Sequence, residues 1–127
     1  MPLFTWYNKY SVNHEELDSH HKNLFNIFNR LYDTCIHTEN KNCIEPILEE
    51  LLSYADYHFK AEEKYMAETG YKDIVNHTQM HRYFIERVME MQQVEDKNDY
   101  NIIKELIVFL GNWLRIHIIE EDKKYAV

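Results

Sequence analysis

Apolar residues recur at alternating steps of three and four along almost the whole chain, and clusters of polar residues separate the runs. That spacing belongs to one face of a helix. It predicts four helices, over about Leu17 to His37, Ile44 to Met66, Tyr71 to Gln93 and Tyr100 to Ile118, behind an N-terminal arm reaching to about residue 16. Pro46 falls in the opening turn of the second helix, where a missing N–H costs nothing. Gly70 precedes the third, and a charged turn from Glu95 to Asp99 precedes the fourth. Each helix is about twenty residues, or near 30 Å. Short connections join antiparallel neighbours, so the expected fold is all-α: an up-down-up-down four-helix bundle forming a single domain over residues 1–127.

The core-facing seams are where the pattern becomes unusual. The first helix places Leu17, His21, Leu24, Phe28, Leu31 and Cys35 on its seam, and the second Leu48, Leu51, Ala55, His58, Glu62 and Tyr65. The third gives Ile74, His77, His81, Phe84, Val88 and Met91, and the fourth Ile103, Leu106, Leu110, Trp113 and His117. Histidine interrupts every seam. In an antiparallel bundle the starts of the first and third helices meet the ends of the second and fourth, so His21, His58, Glu62, His77, His81 and His117 converge on one layer. Left unpaired in an apolar core, these groups would cost several kcal/mol of desolvation.

Composition narrows the classes further. Gly and Pro number only 2 each, too few for a many-turned β fold or for a glycine-rich phosphate loop. With 22 acidic and 14 basic residues the net charge is -8, which disfavours nucleic acid and anionic membrane surfaces as partners. No signal-like leader opens the chain, and Lys104, Glu105 and Arg115 interrupt its most apolar stretch, so no membrane insertion is expected and a cytoplasmic location is. The 2 cysteines, Cys35 and Cys43, form no Cys-x-x-Cys pair and are expected to be reduced packing residues.

A lone histidine on an apolar stripe is ordinarily a hydrogen-bonded core residue, but five of the 8 fall in one layer. His58 with Glu62, and His77 with His81, are four residues apart and point the same way. The set holds more ligands than one tetrahedral zinc takes, and its imidazole-rich character suits iron rather than calcium or magnesium. Two metal ions fit it better than one. The His77 to His81 spacing is that of a metalloprotease helix, but Thr78 stands where the general-base Glu belongs.

The stretches Asp18-Ser-His-His-Lys, His58-Phe-Lys-Ala-Glu62, His77-Thr-Gln-Met-His81 and Trp113-Leu-Arg-Ile-His117 through Asp122 together resemble the hemerythrin family, specifically its single-domain bacterial members. The resemblance runs from Trp6 to Asp122. It implies two iron ions joined by an oxo or hydroxo bridge, with dioxygen as a reversible ligand. By the same resemblance His77, His81 and His117 hold one iron, His21 and His58 hold the other, and Glu62 and Asp122 bridge them. Leu24, Phe25, Phe59, Trp113 and Ile119 are candidates for the apolar pocket wall that protects bound oxygen from water. On an ideal helix Glu121, not Asp122, would share the face of His117, so choosing Asp122 predicts a break, tightening or bulge just after His117. His20 stands where relatives have Gln and is a neighbour of the site or a surface residue. His14 and His37 are expected to be solvated, and the tyrosines receive no role.

The expected function is therefore reversible dioxygen binding for storage, transport or delivery, by a monomer, with an oxygen-consuming protein as recipient. Two other classes stay open. One is oxygen or redox sensing through a separate partner, since the chain leaves no room for an output domain. The other is a di-iron oxidase, peroxidase or nitric-oxide-handling enzyme, for which no acid or base beyond the ligands is evident.

Overall fold

The computed structural model describes residues 4–36, 43–94 and 100–126. Four helices carry the fold: α1 (Glu15–Ile36), α2 (Ile44–Thr69), α3 (Ile74–Gln92) and α4 (Tyr100–Asn112). They form the expected four-helix bundle, in which α1 packs against α2 and α4, and α2 against α3. His37 and the turn Glu95 to Asp99 lie outside the described residues.

Helix ends follow local chemistry. In α1, the Leu17 N–H donates to the His14 ring at 3.3 Å, so His14 is a half-buried cap rather than a solvated residue. Helix α2 runs three residues past the predicted end and stops at Gly70, whose φ of 70° is the left-handed conformation that glycine adopts without strain. The next residue, Tyr71, returns its N–H to the Met66 carbonyl at 3.0 Å. The buried face of α2 also slips by one position near its end: Met66 is buried and Tyr65 half-buried. A straight helix drifts about 20° per heptad from a strict three-four alternation, enough to shift the seam over this length.

The fourth helix departs from α geometry at Trp113, four residues before His117, rather than just after His117. Trp113–Glu121 is π-helical and passes into a 3-10 turn at Asp122–Tyr125. Leu110, Trp113, Leu114, His117 and Ile118 continue one buried stripe, and the widened turn brings Asp122, five residues beyond His117, onto it as well.

The polar layer lies between two apolar clusters. A large one includes Leu24, Phe28, Leu51, Phe84, Leu106 and Leu110; a small one of Val12, Leu17, Met66 and Tyr125 closes the bundle end. The N-terminal arm lays Phe4, Trp6 and Tyr10 against the large cluster, pinned by reciprocal hydrogen bonds between the Phe4 backbone and the Asn29 amide at 2.9 and 2.8 Å.

The cysteines correct the sequence reading. Cys35 and Cys43 are joined in a disulfide, with Cα atoms 5.7 Å apart, rather than standing reduced. No Cys-x-x-Cys spacing applies to them, yet the end of α1 and the residue before α2 stand within bonding range. The bridge sits at the end of the bundle remote from the histidines. Among the described residues no helix is long and apolar enough to cross a membrane.

Candidate metal centre

Seven buried side chains meet in one layer, each delivered by a different register of the bundle. His21 comes from α1, His58 and Glu62 from successive turns of α2, and His77 and His81 from successive turns of α3. His117 comes from the π-helical segment and Asp122 from the residue that follows it. The π segment explains how a carboxylate five residues on reaches the layer: the Asp122 N–H closes an i to i+5 bond on the His117 carbonyl. Glu121, one residue earlier, is half-buried and faces Lys124 at 3.0 Å.

The two carboxylates divide the histidines between their oxygens. Glu62 Oε1 lies 2.8 Å from His77 Nε2 and 2.7 Å from His81 Nε2, while its Oε2 lies 3.3 Å from His21 Nε2 and 3.0 Å from His58 Nε2. Asp122 repeats the division, with Oδ1 at 2.8 Å from His77 and 3.1 Å from His117, and Oδ2 at 3.0 Å from His21. Two overlapping groups result, Glu62-His77-His81-His117-Asp122 and His21-His58-Glu62-Asp122, each with its ligand atoms within 4.8 Å of one another. They share both carboxylates.

His21, His77 and His81 hydrogen-bond to Glu62, but the contacts to Asp122 are close without being well-made hydrogen bonds. Both Asp122 oxygens and His117 Nε2 are buried with no aligned hydrogen-bond partner, although imidazole nitrogens lie within 3.1 Å of the Asp122 oxygens. Buried polar groups are ordinarily satisfied, and nitrogen lone pairs converging on oxygens without alignment satisfy neither. A cation between them satisfies all of them, so the donor set fits a metal.

Aromatic rings brace the imidazoles. Phe59 stacks on His81 with centroids 3.9 Å apart and planes 3° apart, and Trp113 stacks on His117 at 3.9 Å and 13°. Tyr54 lies along His58 at 5.0 Å. Outer nitrogens are braced twice: His81 Nδ1 donates to Glu63 at 2.9 Å, and His58 Nδ1 meets His20 Nδ1 at 3.0 Å. Tyr125 donates its hydroxyl to Glu62 Oε2 at 3.0 Å.

Electrostatics in the metal-free layer follow the carboxylates. Burial opposes protonation of His21 and His77, but Asp122 and Glu62 outweigh it and raise the rings to about 9 and about 10. Burial prevails at His58, which is lowered to about 4 despite Glu62. For Glu62 and Asp122, burial would raise the carboxyls, yet the surrounding imidazoles hold both below the usual carboxylate range. A metal ion would supply the positive charge that those ring protons supply here.

The family model for the hemerythrin HHE cation binding domain matches residues 12–126. The chain belongs to the hemerythrin family. It is 32% identical to the bacteriohemerythrin of Clostridium acetobutylicum, over 97% of this chain and 98% of that protein. It is 31% identical to the bacteriohemerythrin of Methylococcus capsulatus (99% and 96% covered) and 30% identical to a hemerythrin-like protein of Naegleria gruberi (96% and 90%). A crystal structure of wild-type hemerythrin superimposes with a TM-score of 0.81 at 30% identity, over 98% of this chain and 95% of that one.

Against this hemerythrin frame, the structure brings together all seven side chains singled out as metal ligands. Of the proposed pocket wall, Leu24, Phe25, Phe59 and Trp113 are buried in the large apolar cluster, whereas Ile119 is only half-buried; Leu114 and Ile118 belong to that cluster beside them. Sequence reasoning missed Tyr125, Glu63 and Tyr54. Glu63 and Tyr54 carried a readable signal, standing one residue beyond Glu62 and one helical turn before His58. Tyr125 did not, because its approach depends on the 3-10 turn. Between α3 and the π segment, a groove of about 580 Å³ bordered by Met80, Tyr83, Phe109, Trp113 and His117 reaches the outer edge of the layer.

Proposed function

We propose that the polar layer holds two iron ions and that the protein binds dioxygen reversibly there, for storage, transport or delivery. One observation carries the reading: Glu62 and Asp122 each turn one oxygen toward His77 and its neighbours and the other toward His21. Carboxylates placed so are suited to bridge two cations. His77, His81 and His117 would hold one ion, His21 and His58 the other. The chemistry supplied by such a pair is the reversible exchange of two electrons with dioxygen.

The remaining residues account for reversibility. Three imidazoles against two leave the second group with fewer ligands and hence a place for a small diatomic molecule. Leu24, Phe25, Phe59 and Trp113 surround the layer with apolar surface, excluding the water and proton donors that would make oxidation irreversible. Tyr125 holds a proton on Glu62 Oε2 as a hydrogen-bond donor, and burial together with the nearby carboxylates pushes its own ionisation far up, so it stays neutral. Among the described residues no further titratable group faces the layer as a ready acid, which favours binding over turnover.

The test is to load the protein with ferrous iron anaerobically, admit oxygen, then purge with inert gas while recording the visible spectrum. Repeated cycling with two irons per chain is expected. Multiple turnover of oxygen would place the protein among oxidases or peroxidases, and uptake of no iron would overturn the reading.

A further inference from the structure

We propose that His20 is a positioning residue that fixes the ring of His58 in its metal-binding tautomer, the counterpart on one side of the layer of Glu63 on the other. The inference rests on the metal-binding reading above. For His58 to present an Nε2 lone pair inward, its single proton must sit on Nδ1, which then donates outward. Among the described residues, the atom that meets it there is His20 Nδ1 at 3.0 Å. Accepting at Nδ1 leaves the His20 proton on Nε2, and that atom lies 3.9 Å from the Glu16 carboxylate at the bundle surface. That separation is longer than a hydrogen bond, so the group that orients His58 is His20 itself.

The position of His20 is itself fixed. Its ring stands edge-on to Tyr57 at 4.8 Å, and the Tyr57 hydroxyl accepts from the Asn23 amide at 2.7 Å, tying α1 to α2 beside the contact. The other three imidazoles have no such tie, for Nδ1 of His21, His77 and His117 is buried without a hydrogen-bond partner. Each overlapping group therefore has one ring held from behind: His81 by the Glu63 carboxylate, His58 by a neutral imidazole. A carboxylate partner makes the ligating ring a stronger donor than an imidazole partner does, so the two ions would sit in unequal fields.

The experiment titrates anaerobic wild-type, H20A and H20Q proteins with ferrous iron against a competing chelator and counts ions per chain. H20A is expected to weaken one of the two ions by about 10–100-fold and leave the other unchanged, the usual range for loss of an outer partner. H20Q, whose side-chain carbonyl accepts the same proton, is expected to restore wild-type binding. Melting temperatures of the three metal-free proteins should coincide, and nitrogen-proton spectra of zinc-loaded wild-type protein should show His58 protonated at Nδ1. Wild-type affinities in H20A, or H20Q binding no better than H20A, would overturn the inference. Wild-type protein that takes up no metal would overturn the reading of the centre itself, a result distinct from either.

Discussion

Asp122 stands five residues beyond His117, yet its Oδ1 lies 3.1 Å from the His117 ring. An α-helix would turn Asp122 about 140° away and bring Glu121 round in its place. The π-helical segment reverses that choice, leaving Glu121 to pair with Lys124. Asp122→Ala is expected to hold fewer than about one iron per chain, because both overlapping groups lose a ligand, while Glu121→Ala keeps two. Iron analysis after gel filtration checks it, and the reverse pattern would assign the bridge to Glu121.

Tyr125 donates its hydroxyl to Glu62 within the layer. Replacing it by Phe keeps the ring among Tyr65, Tyr71 and His77 and removes only the donor to Glu62. A buried carboxylate losing a hydrogen bond should destabilise the metal-free protein by about 1–3 kcal/mol. Urea denaturation of the two proteins measures this directly; equal midpoints would show that Tyr125 acts by packing alone.

Much of this centre was legible because its physics is periodic. Imidazoles and a carboxylate on apolar seams, at matching depths of antiparallel helices, already specified His21, His58, Glu62, His77, His81 and His117 as one layer. Asp122 required the family resemblance, since helical periodicity alone selects Glu121. The contacts that escaped were set by tertiary geometry. His20 sits off the seam of α1 and reaches His58 only through the crossing of α1 and α2, and Tyr125 arrives through a 3-10 turn. The Cys35–Cys43 bridge escaped for a related reason: it depends on where the end of α1 and the start of α2 stand relative to one another, which no spacing rule reports.

The metal-free protein should lose stability as the solution becomes alkaline. Folded His21 and His77 hold their protons to about 9 and about 10, whereas the unfolded rings release them near 6.5. Their contribution is complete below 6.5 and disappears as pH rises through those folded values. On the acid side His58, held at about 4, resists the proton that its unfolded counterpart takes up, and Glu62 and Asp122 lose their ionic partners at lower pH still. Stability should therefore peak at about pH 6–7. Iron affinity should run the other way on the alkaline side, rising with pH as the competing protons leave. Denaturation midpoints that stay constant between about pH 7 and 10 would contradict this account.

Reduction of the disulfide should separate stability from the site. The bridge closes a short loop, with a sequence separation of 8, so breaking it is expected to cost about 2–3 kcal/mol. Cys35 lies fourteen positions beyond His21 on α1, roughly 21 Å along the helix at about 1.5 Å per residue. A Cys35→Ser, Cys43→Ser double variant should melt earlier yet bind iron as the wild type does. Loss of iron in that variant would mean that the two ends of the bundle are coupled.

Trp113 is stacked on the His117 ring and lines the groove beside it, covering much of that ring. Trp113→Ala would remove that cover and admit water to the polar layer that holds the proposed centre, speeding irreversible oxidation of the oxygenated protein by about tenfold or more. The truncation also empties core volume, at a cost of about 3–5 kcal/mol, so a faster rate in that variant alone could report loosening of the fold. Trp113→Phe resolves the two. A phenyl ring retains most of the stack on His117 and most of the apolar cover while giving up the buried indole N–H, which has no hydrogen-bond partner here. It should keep both the melting temperature and the oxidation rate near wild type. Oxidation that accelerates as much in Trp113→Phe as in Trp113→Ala would mean that the indole itself, not the cover it provides, protects the site.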